Sequence, residues 1–324
     1  MREKTSFRLM VAEMLLQILK RLSFRQSCIV LFNYKYFGPE TAVEILLQEF
    51  KKRGFKQSCK ALLLARKYHL DQFRKGGEPY IWHPIRMALL ALWFPGITDD
   101  IVATILLHDV IEETYQKDRL RGDNSKALLD RISYVKMVAR SLPTNSSIRE
   151  SVILLTTLPA SKETPEQKKE RKEAYFANIY RRLESIVTKL FDRTDNLLDA
   201  PGNLSREAII KNLIETDRQL IPAALRAEEK YPDGANLIRG IRIILECLTC
   251  VLAPIYGVEL DIDYSLPDKL DKNSLRRYIN KQFAASNCQE LSKKILAILT
   301  RRIDKAIDAA ILQCKEIQRP HQEK

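Results

Sequence analysis

The stretch "LLHDVIEET" sets an imidazole beside a carboxylate, His108 and Asp109, and follows them with Glu112 and Glu113. On a continuous helix, spacings of three and four residues bring all four side chains to one side. Three carboxylates crowded beside an imidazole repel one another unless a cation sits among them. The spacing therefore reads as a divalent-metal site, while the two glutamates by themselves would also fit a solvated helix end. One His-Asp pair leaves a metal under-coordinated, so other helices must add ligands. His83, in "GGEPYIWHPIRMALL", is the candidate imidazole on the preceding helix, and "VTKLFDRTDNLLDA" offers Asp192, Asp195 and Asp199 at helical spacings. Two imidazoles with two carboxylates form a mixed nitrogen and oxygen set suited to manganese, iron or zinc, unlike a thiolate-rich structural zinc site. A metal so held lowers the pKa of its bound water and polarises a phosphoryl oxygen.

"QFRKGGEPYIWHP", "LLHDVIEET" and "KLFDRTDNL" stand in the order, and at roughly the separations, of the motifs of the HD superfamily. Together they resemble the guanosine tetra- and pentaphosphate (ppGpp and pppGpp) hydrolase domain of the RelA/SpoT type. "LLTTLPASKETPEQKKERKEAYFANI" and "IETDRQLIPAA" are similar to the single-domain small alarmone hydrolases, so the resemblance covers about residues 50 to 245. It implies an HD-domain helical bundle with Mn2+ held by His83, His108, Asp109 and Asp192. It also implies that Glu112 and Glu113 position or activate the attacking water and that Arg74 and Lys75 line the nucleotide pocket. Asn196 would contact the ribose, and Lys189 would support the site or a phosphate. The implied reaction removes the 3′-pyrophosphate to give GDP or GTP and pyrophosphate.

The chain departs from the family pattern at three places. The usual Glu-Asp pair is Glu112-Glu113, RKSGEP has become RKGGEP with Gly76 in place of serine, and DRLHN has become DRTDN, with Thr194 and Asp195 replacing leucine and histidine. All four metal ligands remain, so the changes bear on nucleotide selectivity more than on metal binding. The synthetase motifs of the full-length enzymes are not found in residues 251 to 324, and degradation without synthesis is expected. Two other readings stay open: an HD phosphohydrolase acting on another 3′- or 2′-phosphorylated nucleotide, and a catalytically degenerate alarmone-binding module.

Helices must position these residues. With 324 residues the chain can bury a substantial core, and its ten glycines are few beside the many helix formers. Period-two alternation is hard to find, so the expected fold is all-α, with additional N- and C-terminal helices. Expected elements include capped "GPETAVEILLQEFKKRG", "SCKALLLARKYHLDQF", and helices over His83 to Phe94, Asp99 to Thr114 and about Asp130 to Ser141. Residues 1–40 read as a basic amphipathic segment, 41–250 as the hydrolase domain, and 251–324 as a linker and helical extension suited to packing or oligomerisation.

The formal charge of +13 is spread along the chain among many acids, except in "SKETPEQKKERKEAYF". That distribution fits solvated helix faces and an anionic small-molecule site, and no nucleic-acid partner is expected. Six cysteines without dense spacing and no secretory signal fit a reducing cytoplasm, with Cys247 and Cys250 as core residues. No apolar run reaches the roughly 18 residues that a membrane span needs. His69 and His321 have no companions and read as ordinary residues.

Overall fold

The computed structural model describes residues 38–74, 76–120, 131–158, 163–262, 277 and 302–313. Lys75 and nearly all of the segment expected at 1–40 lie outside the described residues, as does most of 263–324. Among the described residues there are helices and no sheet, and one isolated bridge pairs Phe73 with Pro79 across the RKGGEP turn. No helix among them is long and apolar enough to cross a membrane.

The helices run α1 Pro39–Arg53, α2 Lys56–Tyr68, α3 Trp82–Ala91, α4 Asp99–Leu107, α5 Val110–Leu120 and α6 Arg131–Ser141. They continue with α7 Ser146–Leu155, α8 Pro165–Ile179, α9 Leu183–Asn203 and α10 Arg206–Glu215. A π-helical turn, Thr216–Leu220, leads into α11 Ile221–Lys230, and a short 3-10 turn, Pro232–Gly234, into α12 Ala235–Tyr256. Residues 302–313 are helical as well.

Local chemistry sets many of these ends. Pro39 opens α1, where its missing N–H leaves no hydrogen bond unmade, and Gly54 closes it at φ 72°, a left-handed conformation that glycine adopts without strain. Thr164 and Gln167 form a reciprocal capping box at the start of α8. The helix α7, not anticipated from the sequence, begins at Asn145, whose side chain accepts the Ile148 amide at 2.9 Å. The polar "TNSS" that stops α6 is thus also the cap of the next helix.

The helix expected over Asp99 to Thr114 is two helices, α4 and α5, with the interruption at His108-Asp109. In an unbroken helix the Ile105 carbonyl accepts the amide of Asp109. Here that carbonyl is engaged by the His108 ring, with Nδ1 2.8 Å away. His108 is therefore also the residue whose ring competes with the helix for a backbone carbonyl.

α3 is buried at every position and α4 from Ile101 to Leu107, as expected of helices enclosed by others. α9 packs against α3, α4 and α12, so the three motif-bearing stretches meet in one core. Cys247 and Cys250 are buried, unpaired thiols of α12. α12 runs on past residue 250 to Tyr256 and ends at Gly257 with φ 69°. Ile303, Ala306, Ile307 and Ala310 of the 302–313 helix join the same core.

No side chain of α2 caps its own start. Asp99 does so from α4: its carboxylate accepts the amides of Gln57 and Ser58 at 2.8 and 2.7 Å and the Ser58 hydroxyl at 2.6 Å. Replacing Asp99 with alanine leaves the two amides without the carboxylate, while the Ser58 hydroxyl keeps the residue 99 carbonyl at 3.0 Å. The change is expected to cost about 2 kcal/mol in urea unfolding. An unchanged midpoint would show that water substitutes for the carboxylate.

Candidate active site

His83, near the start of α3, and His108, at the α4 to α5 break, are both buried. Asp192, in the middle of α9, brings Oδ1 to 3.1 Å from His83 Nε2 and 3.8 Å from His108 Nε2. One ligand atom from each of these three residues lies within 4.8 Å of the other two. Asp109 Oδ2 is 3.1 Å from His108 Nε2 and 3.8 Å from His83 Nε2. Three separate helical elements thus bring together the two histidines and two aspartates expected as ligands.

The outer side of each ring is already occupied. His83 Nδ1 lies 2.8 Å from Asp195 Oδ2, and His108 Nδ1 lies 2.8 Å from the Ile105 carbonyl. The Ile105 carbonyl can only accept, so His108 carries a proton on Nδ1 and turns Nε2 to the cluster. His83, by contrast, meets a carboxylate at both nitrogens, with Asp195 at Nδ1 and Asp192 Oδ1 3.1 Å from Nε2. His108 Nε2 is buried and has no hydrogen-bond partner, because Asp109 approaches it off the bonding direction.

Burial pushes the His108 pKa down, but the charges of Asp109 and Asp192 outweigh it and raise it to about 9. The Asp192 carboxyl, which burial would raise, is held well below the usual range by Lys189 and the two histidines. A position that so favours a proton on Nε2 also favours a cation there, and an orphaned imidazole nitrogen, a second imidazole and carboxylates form a suitable donor set. The residues present fit a divalent metal.

Asp192 is held in turn. Lys189 donates to its Oδ2 at 2.7 Å and Asn196 Nδ2 to its Oδ1 at 2.6 Å. The Asn196 carbonyl accepts from Arg74 at 2.7 Å, and Arg74 also reaches Asp199 at 2.9 Å. The RKGGEP turn delivers Arg74 through a Gly77 amide to Arg74 carbonyl bond of 2.8 Å, with Gly77 at φ 79°. Arg74 therefore braces α9 and does not line the cavity beside the cluster.

Two aromatic neighbours were not foreseen. The Tyr80 hydroxyl donates to Asp109 Oδ2 at 2.6 Å, and His69 stacks on Tyr80 with ring centroids 4.9 Å apart. Burial lowers the His69 pKa to about 4, outweighing its hydrogen bond to Gln72. Because the folded value lies below the unfolded value of about 6.5, His69 contributes stability that is full above pH 6.5 and lost as pH falls towards 4. The loss is about 3 kcal/mol at most. The His69→Gln variant is expected to lose less stability than wild type between pH 7 and pH 4.5 in thermal melts. Equal losses would remove His69 from the acid response.

A cavity of about 350 Å³ opens beside the cluster, lined in part by His108, Asp109, Glu112 and Asp192. Glu112 Oε1 accepts the Thr157 amide at 2.5 Å and its hydroxyl at 3.1 Å. Burial, reinforced by the charge of Asp109, raises the Glu112 carboxyl to about 7. Glu113 is not among the residues lining this space.

The lining also includes Lys168, Arg171, Lys172 and Tyr175 of α8 and Lys211 of α10. Lys172 pairs with Glu215 at 2.5 Å and Arg171 with Glu163 at 2.8 Å, while Lys168 is exposed. These cations were visible in the sequence as the run "EQKKERKEAYF", whose charges also suit a solvated helix face. Only the packing of α8 over α9 turns part of that run towards the cavity.

No protein-family model matches the chain, and no solved structure matches it. Among curated proteins it is 37% identical over 95 residues to a guanosine-3′,5′-bis(diphosphate) 3′-pyrophosphohydrolase of Borreliella burgdorferi, covering 28% of this chain and 14% of that protein. It is 28% identical over 142 residues to the protein of the same name from Haemophilus influenzae, covering 42% and 17%. A GTP pyrophosphokinase of Myxococcus xanthus is 28% identical over 142 residues, covering 43% and 16%. The matches thus span less than a fifth of each relative's length. Over that partial length the chain is similar to the RelA/SpoT-type guanosine-3′,5′-bis(diphosphate) 3′-pyrophosphohydrolases, and its all-α architecture with a buried His-Asp cluster accords with their HD hydrolase domain.

Proposed function

We propose that this chain is a divalent-metal-dependent phosphohydrolase that removes the 3′-pyrophosphate from guanosine tetra- or pentaphosphate, giving GDP or GTP and pyrophosphate. The observation that carries the proposal is the buried His108 Nε2, which has no well-directed hydrogen bond and is set among His83, Asp109 and Asp192 beside a cavity lined by several cationic side chains. Those four residues would hold the metal, with manganese our choice for a mixed nitrogen and oxygen set. When bound, such an ion supplies a water acidic enough to ionise near neutral pH and polarises a phosphoryl oxygen.

The protein's own groups do the rest. Glu112, fixed by Thr157, accepts the proton of the attacking water. Lys168, Arg171, Lys172 and Lys211 of the cavity lining bind phosphate oxygens, and a guanidinium can engage two oxygens at once. Lys189 and Asn196 hold Asp192 in place. Glu113 lies off the cavity, and we assign it no contact with substrate.

The test is incubation of the purified chain with guanosine tetraphosphate and Mn2+, with and without chelator. Chelator-sensitive release of GDP and pyrophosphate is expected. Absence of release despite bound metal would overturn the assignment. Parallel incubations with adenosine nucleotides bearing a 3′- or 2′-phosphate measure selectivity at the turn where Gly76 replaces serine. We assign hydrolysis without synthesis, and formation of guanosine tetraphosphate from GTP and ATP in the same assay would overturn that part. The unpaired thiols of Cys59, Cys247 and Cys250 support a place in the reducing cytoplasm.

A further inference from the structure

Asp195 stands where the family motif carries histidine, and it is almost fully buried. Its Oδ2 accepts from His83 Nδ1 at 2.8 Å. Arg86, one helical turn after His83 on α3, donates from Nε to Oδ1 at 3.0 Å and from Nη2 to Oδ2 at 3.0 Å. A second guanidinium comes from far along the chain: Arg302 Nη2 reaches Asp195 Oδ1 at 3.3 Å.

Arg302 lies on the helical stretch 302–313, where Ile303, Ile307 and Ala310 are buried in the core. Farther along the same stretch, Gln313 accepts the Tyr256 hydroxyl at 2.7 Å and donates to the Leu204 carbonyl at 3.3 Å. This stretch is therefore held at Gln313 while Arg302 faces the carboxylate behind His83. Arg86 is shared, since it also donates to Glu78 at 2.6 Å and Asp199 at 3.1 Å.

We propose that Arg302 is a positioning residue: it fixes the Asp195 carboxylate against His83 Nδ1 and thereby holds His83 Nε2 at the metal position. A carboxylate on the outer nitrogen of a metal-binding imidazole fixes the ring's tautomer and orientation. Two guanidinium groups gripping that carboxylate restrict its rotation. The C-terminal segment thus completes the metal site from outside the stretch that carries the three motifs. This inference rests on the metal-site reading given above.

The experiment measures Mn2+ binding to the full chain by isothermal titration calorimetry for wild type, Arg302→Met, Arg302→Lys, Asp195→Ala and the double variant Asp195→Ala with Arg302→Met. In the Asp195→Ala background Arg86 keeps Glu78 and Asp199 as partners, which favours retention of the fold. Arg302→Met is expected to weaken Mn2+ binding about tenfold, the lower end for an outer-shell change. Arg302→Lys should fall between, because it keeps the charge and loses the planar fork. In the Asp195→Ala background, Arg302→Met should change the affinity less than about twofold, since its route to His83 is already gone.

Binding by Arg302→Met equal to wild type, or the same loss with and without Asp195, would overturn the proposal. If Arg302→Met lacks native circular dichroism, the same cycle with Arg302→Lys decides. A wild-type chain that binds no divalent cation would instead overturn the metal-site reading itself, so the two failures are distinguishable.

Discussion

The Asp192→Asn variant is expected to lose chelator-sensitive pyrophosphate release, by on the order of 10⁴-fold or more, as when a central catalytic group is removed. Asp192 is the carboxylate nearest His83 Nε2, at 3.1 Å, stands 3.8 Å from His108 Nε2, and is the counter-charge for Lys189 at 2.7 Å. Asparagine preserves the volume and a carbonyl oxygen but removes the negative charge. The Lys189 ammonium then faces the two imidazoles without its counter-ion and repels a divalent cation. Calorimetry should show Mn2+ affinity falling with turnover, while circular dichroism keeps its helical signature. Turnover at the wild-type level would remove Asp192 from the metal's ligands.

Glu112→Gln should act differently, lowering turnover by about 10²–10⁴-fold while leaving Mn2+ affinity unchanged. The glutamine carbonyl can still accept from Thr157, so the side chain stays in place and loses only its ability to take a proton. The sign of the pH dependence follows. A general base must be ionised, so kcat/KM rises with pH through its pKa. Burial raises the Glu112 carboxyl to about 7, and a divalent cation nearby pulls it back down. The limb in the Mn2+-loaded enzyme therefore falls at or below pH 7. It should vanish in the variant, and a limb left in place would assign the titration to the attacking water.

Much of this was legible because the relevant forces are local. The apolar runs of α3, α4 and α12 read as buried helices, and Gly54 and Gly257 mark helix ends with positive φ. His83 and the His108-Asp109 pair followed from residue type and spacing, and the family resemblance chose Asp192 from among Asp192, Asp195 and Asp199. The structure brings the four within a few ångströms of one another. The cationic run of α8 was visible too, but charge along a helix does not reveal whether a given side faces water or a cavity.

The all-α class, many of the helices, and the residue types able to hold a cation were determined by the sequence itself, through side-chain periodicity, end signals and motif spacing. The tertiary structure alone decided the partners across helices. It made Asp195 the carboxylate behind His83 and brought Arg302 to it across more than a hundred residues. It set Asp99 as the cap of α2 and broke the expected helix at His108, where the ring takes a backbone carbonyl. Spacings of three and four residues report only neighbours on one helix, whereas these contacts depend on how separate helices pack, and many sequences share the same periodicity.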